Sequence, residues 1–419
     1  MNHEFIKLIL PSIIFISWVI FSFRFKKKYT MIGAALFLAS YVGLSSNFSF
    51  VYRELHQLIQ LILIALFVGP AILKGRLGWI NKFLFVFLLF IGTSFVSAPI
   101  DEDAKSQIIN FIVCVGVTSY LFSALRSSSD VEKIFQYIAT LAVILSIAGC
   151  LEFVADPGRR IETTFSNPNY FGLFLGVGFC AVAACFKGFQ RNLALILILV
   201  MLVASGSRSA IAFPFFYFLW QIYKQKRFDK QIILLLAFLI MTTSVVYSGM
   251  TRFSDIDQTA ASDAERIVFA KIALRMASSH PFTGIGWGRF ISEFGNYSSF
   301  SEQVVTTSGV IDLSGQTRRV THNDFLRVLA ELGWVAFATA IALTLYGVRL
   351  LLTSFLHIFS FLPPIWGGMV FFSLGHNNLN NALFWFVFLL PFFLAHKLNM
   401  IRGSQRLRSY SLSVMKANN

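Results

Sequence analysis

The feature that most constrains this chain is a succession of apolar stretches, most of them roughly 16–23 residues long, joined by short polar links. That is the length a helix needs to cross a hydrocarbon core about 30 Å thick. Inside lipid every backbone N–H and C=O must be satisfied within the protein, so such stretches form helices and not open strands. Nothing resembles the ~10-residue alternating segments of an outer-membrane barrel. Spans are expected near 8–23, 31–46, 57–73, 80–98, 108–125, 134–154, 170–186, 192–205, 209–223, 231–249, 323–346, 358–375 and 382–396. The predicted fold class is all-α, a polytopic transmembrane helix bundle of about 12–14 spans with one large, partly helical outer loop.

Only 13% of the residues are charged and the mean hydropathy is +0.69, against about a quarter charged in a soluble chain. The net charge of +15 suggests nucleic acid at first sight. Sorting the charges by alternate links removes that suggestion. One set of links holds most of the basic residues, among them Arg24, Lys26, Lys27, Lys28, Arg126, Lys187, Lys226, Arg227 and Arg349, with only Asp130, Glu132 and Asp229 to oppose them. By the positive-inside rule this side is cytoplasmic. The other side is slightly acidic, and no nucleic-acid partner is expected. The same count puts the N-terminus outside. The stretch 8–23 lacks a small-residue cleavage site after it and reads as a retained span. Cys114, Cys150, Cys180 and Cys185 all lie in apolar stretches and read as buried filler, with neither a disulfide framework nor zinc spacing.

Three parts follow: N-terminal transmembrane helices over 1–158, a core over 159–396 that includes an outer loop at 250–321, and a basic cytoplasmic tail over 397–419. The loop is the exception among short links, and long loops in a compact bundle are usually functional. Ser262, Asp263, Ala264 and Glu265 have capping-box spacing, so a helix is expected over 264–278. Gly284, Gly286 and Gly288 then mark a turn that brings backbone close to something. The Ser/Thr/Gly-rich stretch 292–316 is expected to be mobile.

The spans carry almost no charge, which disfavours an ion-driven transporter and draws attention to the outer surface. Arg208, in the tight turn Ser205-Gly-Ser-Arg-Ser209, must sit at the membrane surface. Its planar fork suits a lipid phosphate, although it can equally anchor a helix end. Arg266, Lys271 and Arg275 lie on the expected loop helix. They read either as a solvated face or as ligands, Arg266 being in a first turn that the helix dipole disfavours for a cation. His322, in Thr321-His-Asn-Asp324, enters the membrane at a span's start and can act as a base, with Asp324 or Glu331 to orient it. The alternative is a capping cluster in which Thr321 or Asn323 is the cap. Arg159, Arg160, Asn167 and Asn169 form a further polar group that can equally be a plain loop-to-helix cap. His376 heads His-Asn-Asn-Leu-Asn-Asn381, which lines a sugar site or caps the final span. Asp101 with Asp103, and Asp255 with Asp257, are weak matches to metal-binding aspartate pairs. No metal or cofactor is expected.

Taken in order, these stretches resemble the bacterial O-antigen ligase and polymerase superfamily. The resemblance is carried by Phe165-Ser-Asn-Pro-Asn-Tyr-Phe171, Ser205-Gly-Ser-Arg-Ser-Ala210, Arg266, His280-Pro-Phe-Thr-Gly-Ile-Gly-Trp-Gly-Arg-Phe290, and Thr321-His-Asn-Asp-Phe-Leu through Glu331-Leu-Gly333. It covers roughly 160–396. It implies a protein of the bacterial inner membrane whose active face is periplasmic. It implies transfer of a glycan from undecaprenyl diphosphate to an acceptor sugar hydroxyl, without metal and with inversion. The acceptor is lipid A–core in a ligase, the favoured reading, or a second lipid-linked glycan in a polymerase; a polysaccharide or lipid transporter is a distant alternative. The resemblance assigns Arg208 and Arg266 to the diphosphate and His322 to the acceptor. The outer polar groups add Arg160, Asn169, Arg275, Arg289, Asn323, Asp324 and His376 as substrate-binding candidates. Phe269 departs from it, standing where many members have tryptophan; packing is the expected effect.

Overall fold

A computed structural model describes residues 78–96, 98–125, 128–156, 159–163, 165, 167–225, 256–298, 303–306, 309–312, 321–353 and 359–397. The expected spans at 8–23, 31–46, 57–73 and 231–249, and all but the first residue of the basic tail, lie outside the described residues. The helices are α1 (Gly78–Ser94), α2 (Glu102–Ala124), α3 (Ser128–Ala155), α4 (Pro168–Cys185), α5 (Gly188–Ala204), α6 (Ala212–Gln225), α7 (Ile256–Ser279), α8 (Phe290–Tyr297), α9 (Asp324–Thr353), α10 (Leu362–Ser373) and α11 (Ala382–Lys397). A 3₁₀ turn, Arg208–Ile211, leads into α6. The result is a helical membrane bundle. Three helices, Ser129–Ala155, Pro168–Cys185 and Asp324–Thr353, meet both the length and the hydropathy of a membrane span.

Small residues set the packing. In α4 a Cβ on Gly176 would lie 2.4 Å from Phe213 of α6, and one on Gly178 would lie 2.3 Å from Ala142 of α3. Without a strong hydrophobic drive between helices in lipid, such close backbone approach is what makes contact favourable. α4 is accordingly central, with 67% of its most apolar window buried, whereas α9 buries only 22% and turns a broad face outward. α11 is buried along nearly its whole first three turns, as expected of a helix apolar on every side. Phe87, Phe111, Trp287 and Trp385 form an edge-to-face cluster joining α1, α2, α11 and the 280–288 turn.

The segment between α6 and α9 differs from the sequence expectation in three ways. Its main helix begins at Ile256, eight residues before the expected Ala264. Gln258, Ala260 and Ala261 are sound helix formers, and Asp257 suits the positive end of the dipole, so the capping-box residues fall inside the helix. Arg266 therefore sits in the third turn, and the unfavourable dipole position disappears. Third, beyond the one helix expected there, the segment contains α8 and an antiparallel hairpin, β1 (Gln303–Thr306) with β2 (Gly309–Asp312). The segment has its own small core of Val268, Phe269, Ile272, Met276, Ile285, Phe290 and Phe294 closed by Ala330 of α9.

The glycine-rich turn finds its partner in α9. The Ile285 and Gly286 N–H groups donate to the Ala330 and Glu331 carbonyls at 3.0 and 3.1 Å, and the Trp334 N–H donates to the Pro281 carbonyl at 2.8 Å. α9 breaks at this point: Gly333 has φ 84° and ψ −179°. On both sides of the break, α9 joins α1, α10 and α11 around a cavity of about 370 Å³ with walls that include Phe87, Leu343, Phe388 and Phe392, and polar lining residues that include Asp324 and Ser373.

Candidate functional site

Four links between helices and one helix meet at one end of the bundle. Arg160 precedes α4, Arg208 opens the turn after α5, and Arg266 comes from α7. His322 stands two residues before α9, and His376 stands between α10 and α11. Each is fixed by local chemistry. Asn167 caps α4 by accepting the Asn169 N–H at 2.8 Å, with Pro168 at the first helical position. That leaves the Asn169 side chain to accept Arg160 Nη2 at 2.7 Å, while Arg160 Nε donates to the Ser205 carbonyl at 2.8 Å. The Arg160 guanidinium thus ties the start of α4 to the Arg208 turn. Its neighbour Arg159 turns the other way and pairs with Glu162 at 3.2 Å.

His322 adopts φ 50°, one of two non-glycine residues at positive φ among the described residues. Such a conformation costs on the order of 1–3 kcal/mol and persists only where its surroundings fix it. Here Asn323 caps α9 by accepting the Leu326 N–H at 3.0 Å and donates from its amide to the Leu374 carbonyl at 3.0 Å. Thr321 donates to Asn377 Oδ1 at 3.1 Å. The His322 ring lies 6.2 Å from Phe269 and 6.5 Å from His376, centroid to centroid, the two imidazoles being edge-on at 89°. The His376 ring rests on Phe372 at 4.4 Å. Burial pushes the His376 imidazole down to about 3, and the positive groups around it, Arg266, His322, Arg160 and Arg208, push in the same direction. His376 is therefore neutral at physiological pH, with the charges of three arginines acting on it.

The remaining candidates serve other bonds. Asp324 is buried and accepts N–H groups from Asn378 and Leu379, and Glu331 accepts from Arg327, Gly288 and Phe290, so neither orients His322. Arg275 donates to the Tyr297 carbonyl at 3.0 Å. Arg289 pairs with Asp101 and Glu293. Burial works against the ionised form of Asp101, yet bonds from the Ala104 N–H, Ser292 and Arg289 outweigh it and hold its carboxyl below the usual range. Asp101 is thus the cap of α2 and an ion-pair partner. Asp255 lies outside the described residues, as does the Asp257 side chain. Phe372, which seats the His376 imidazole as Phe269 seats that of His322, went unassigned in the sequence, and Asn377, noted there only as part of the 376–381 motif, takes both the Thr321 hydroxyl and, through its carbonyl, the Tyr170 hydroxyl at 2.8 Å. No local signal marks these contacts. The Ser207 hydroxyl, beside Arg208, is buried without a hydrogen-bond partner among the described residues.

The arrangement can bind a compact anion of high charge and place a neutral base next to it. Residues 193–341 match a family model described as O-antigen ligase. This stretch carries the O-antigen ligase family domain. It includes Arg208, Arg266 and His322, as well as the 280–288 turn and its dock on α9. It leaves out Arg160, Asn169 and His376, which the fold brings to the same place. No curated protein matches the chain.

Proposed function

We propose that the protein is a glycan transferase of the periplasmic face of the bacterial inner membrane, moving a glycan from undecaprenyl diphosphate to an acceptor sugar hydroxyl, and that it is an O-antigen ligase whose acceptor is lipid A–core. The observation that carries this reading is the convergence of Arg160, Arg208 and Arg266 on one patch with two imidazoles, within and beside an O-antigen ligase family domain. Diphosphate is a good leaving group if its growing charge is stabilised. Guanidinium forks held in place before reaction do this, each worth a few kcal/mol in such sites. His322 accepts the acceptor hydroxyl proton, a contribution of about 10²–10⁴-fold. The acceptor oxygen attacks the anomeric carbon opposite the diphosphate, the C–O bond to phosphate breaks with its electron pair going to the phosphate oxygen, and the configuration inverts without a metal. The apolar cavity beside Asp324 offers the isoprenoid tail a path between helices.

Deletion of the gene, followed by separation of the cell's lipopolysaccharide by size, tests the reading. Core without attached polymer, with undecaprenyl-linked polymer accumulating, is the expected result. Single repeat units on the core with long chains lost would instead make the protein a polymerase joining lipid-linked units. An unchanged pattern would remove both roles.

A further inference from the structure

His376 lies beyond the family match, yet it stands in the middle of the cationic cluster. Ring contacts, together with the contacts of its neighbours, place it there. A Cβ on Gly375 would lie 2.6 Å from Ser209 Oγ, so the residue before His376 touches the residue after Arg208. Phe269 is one turn along α7 from Arg266 and meets the His322 ring, which is itself edge-on to His376. Arg160 is bonded to the carbonyl of Ser205, in the same turn as Arg208. His376 is 8% exposed, and its ring packs against the rings of His322 and Phe372.

The charges facing it have one sign. Arg160 from the link before α4, Arg208 from the turn after α5, Arg266 from α7 and His322 from the start of α9 all oppose its protonation. On the other side, Asp324 has its carboxyl oxygens taken by the Asn378 and Leu379 N–H groups, and the Tyr170 hydroxyl donates to the Asn377 carbonyl. Glu265 stands next to Arg266 on α7. An anion carrying two or more charges among the arginines reverses this field, and a buried group responds strongly to such a reversal. We propose that His376 is the proton-linked member of the anion site: a diphosphate ester that settles among Arg160, Arg208 and Arg266 brings a proton from solution onto His376, which then donates a ring N–H to a phosphate oxygen. This rests on the reading of those arginines as the diphosphate site. It adds a binding residue that the family match does not cover, and it makes donor binding dependent on pH.

The test is calorimetric titration of the full chain in lipid nanodiscs with undecaprenyl diphosphate at pH 7, in two buffers of different ionisation enthalpy. The expected result is a buffer-dependent enthalpy corresponding to uptake of about one proton per lipid bound. His376→Gln should bind with no buffer dependence and roughly tenfold more weakly at pH 6.5, whereas His322→Gln should retain the uptake. Equal enthalpies in the two buffers for the wild type, or uptake that persists in His376→Gln, would overturn the proposal. Failure of the wild-type chain to bind the lipid at all would overturn the diphosphate site itself, a different result that takes this proposal with it.

Discussion

Asp324 accepts the backbone N–H of Asn378 through both carboxyl oxygens, at 2.8 and 2.9 Å, and that of Leu379 through one, at 3.2 Å. This joint locks the start of α9 to the link between α10 and α11. His322 is two residues before Asp324, and His376 is two residues before Asn378, so the joint also sets the spacing of the two imidazoles. Asp324→Ala would strand two buried N–H groups. A loss of about 2–4 kcal/mol is expected, read as a lower thermal midpoint in detergent. Transfer activity should fall further than the midpoint explains, because both imidazoles are released. Asp324→Asn, which keeps one acceptor oxygen, should fall between.

Gly333 and the 280–288 turn are matched backbone to backbone. A Cβ on Gly333 would lie 2.7 Å from the Pro281 carbonyl oxygen, and one on Gly284 would lie 2.2 Å from the Glu331 carbonyl carbon. Both glycines also have positive φ, 84° and 66°. Gly333→Ala combines a conformational cost of about 1–3 kcal/mol with a contact that rigid backbone cannot relieve. The expected outcome is a chain that inserts in the membrane but is cleaved by added protease within 280–297, where wild type resists.

Arg327 and Glu331 form an ion pair at 3.0 Å with side chains only 7% and 2% exposed. Arg327 also donates to Gln107 at 3.0 Å and covers the Trp287 ring at 4.6 Å, while Glu331 holds the Gly288 and Phe290 N–H groups. Removing one partner of a buried pair costs about 3–5 kcal/mol. Replacing both often restores stability, but here Glu331→Leu orphans two backbone donors as well. The double variant Arg327→Met with Glu331→Leu should therefore recover only part of the loss. A double variant as stable as wild type in thermal unfolding would sink the idea that Glu331 anchors the turn.

What could be read from the sequence and what could not divides along contact distance. The α4 cap was legible because Asn167 and Pro168 act within one helical turn, and the glycine spacing at 284, 286 and 288 announced a close backbone approach. The break at Gly333 that receives it was not legible, since a lone glycine in an apolar helix has several readings. The start of α7 was missed because a good capping box lay inside a longer run of helix formers. The surroundings of His376 could not be read from its own neighbourhood: they come from elements far apart in the chain. The role of Asp101 was not legible for the same reason, since its partner Arg289 is 188 residues away.

The neutral state of His376 carries a pH signature. Its imidazole titrates at about 3 in the folded protein, against an ordinary 6.5, so the folded chain binds fewer protons than the unfolded one. The stability involved is fully present above pH 6.5 and is lost as pH falls from there toward 3, by about 1.4 kcal/mol per pH unit. Between pH 7.5 and 5.5 the wild-type thermal midpoint should drop by the equivalent of roughly 1 kcal/mol more than that of His376→Gln. Parallel curves for the two proteins would contradict a buried neutral imidazole.

Arg208 is exposed and opens the 3₁₀ turn after α5, while Arg160 is held by Ser205 and Asn169 at the base of the same turn. This division separates two roles. Arg208→Lys keeps the charge but loses the planar fork, so if two phosphate oxygens are gripped at once, activity should fall about tenfold or more with little change in thermal midpoint. Arg160→Lys should lower the midpoint as well, by about 1–2 kcal/mol, because the bonds to Ser205 and Asn169 are lost together. Transfer assayed with purified donor and acceptor, beside unfolding curves for each variant, distinguishes the two. Full activity in Arg208→Lys would leave that arginine as a helix-end anchor and nothing more.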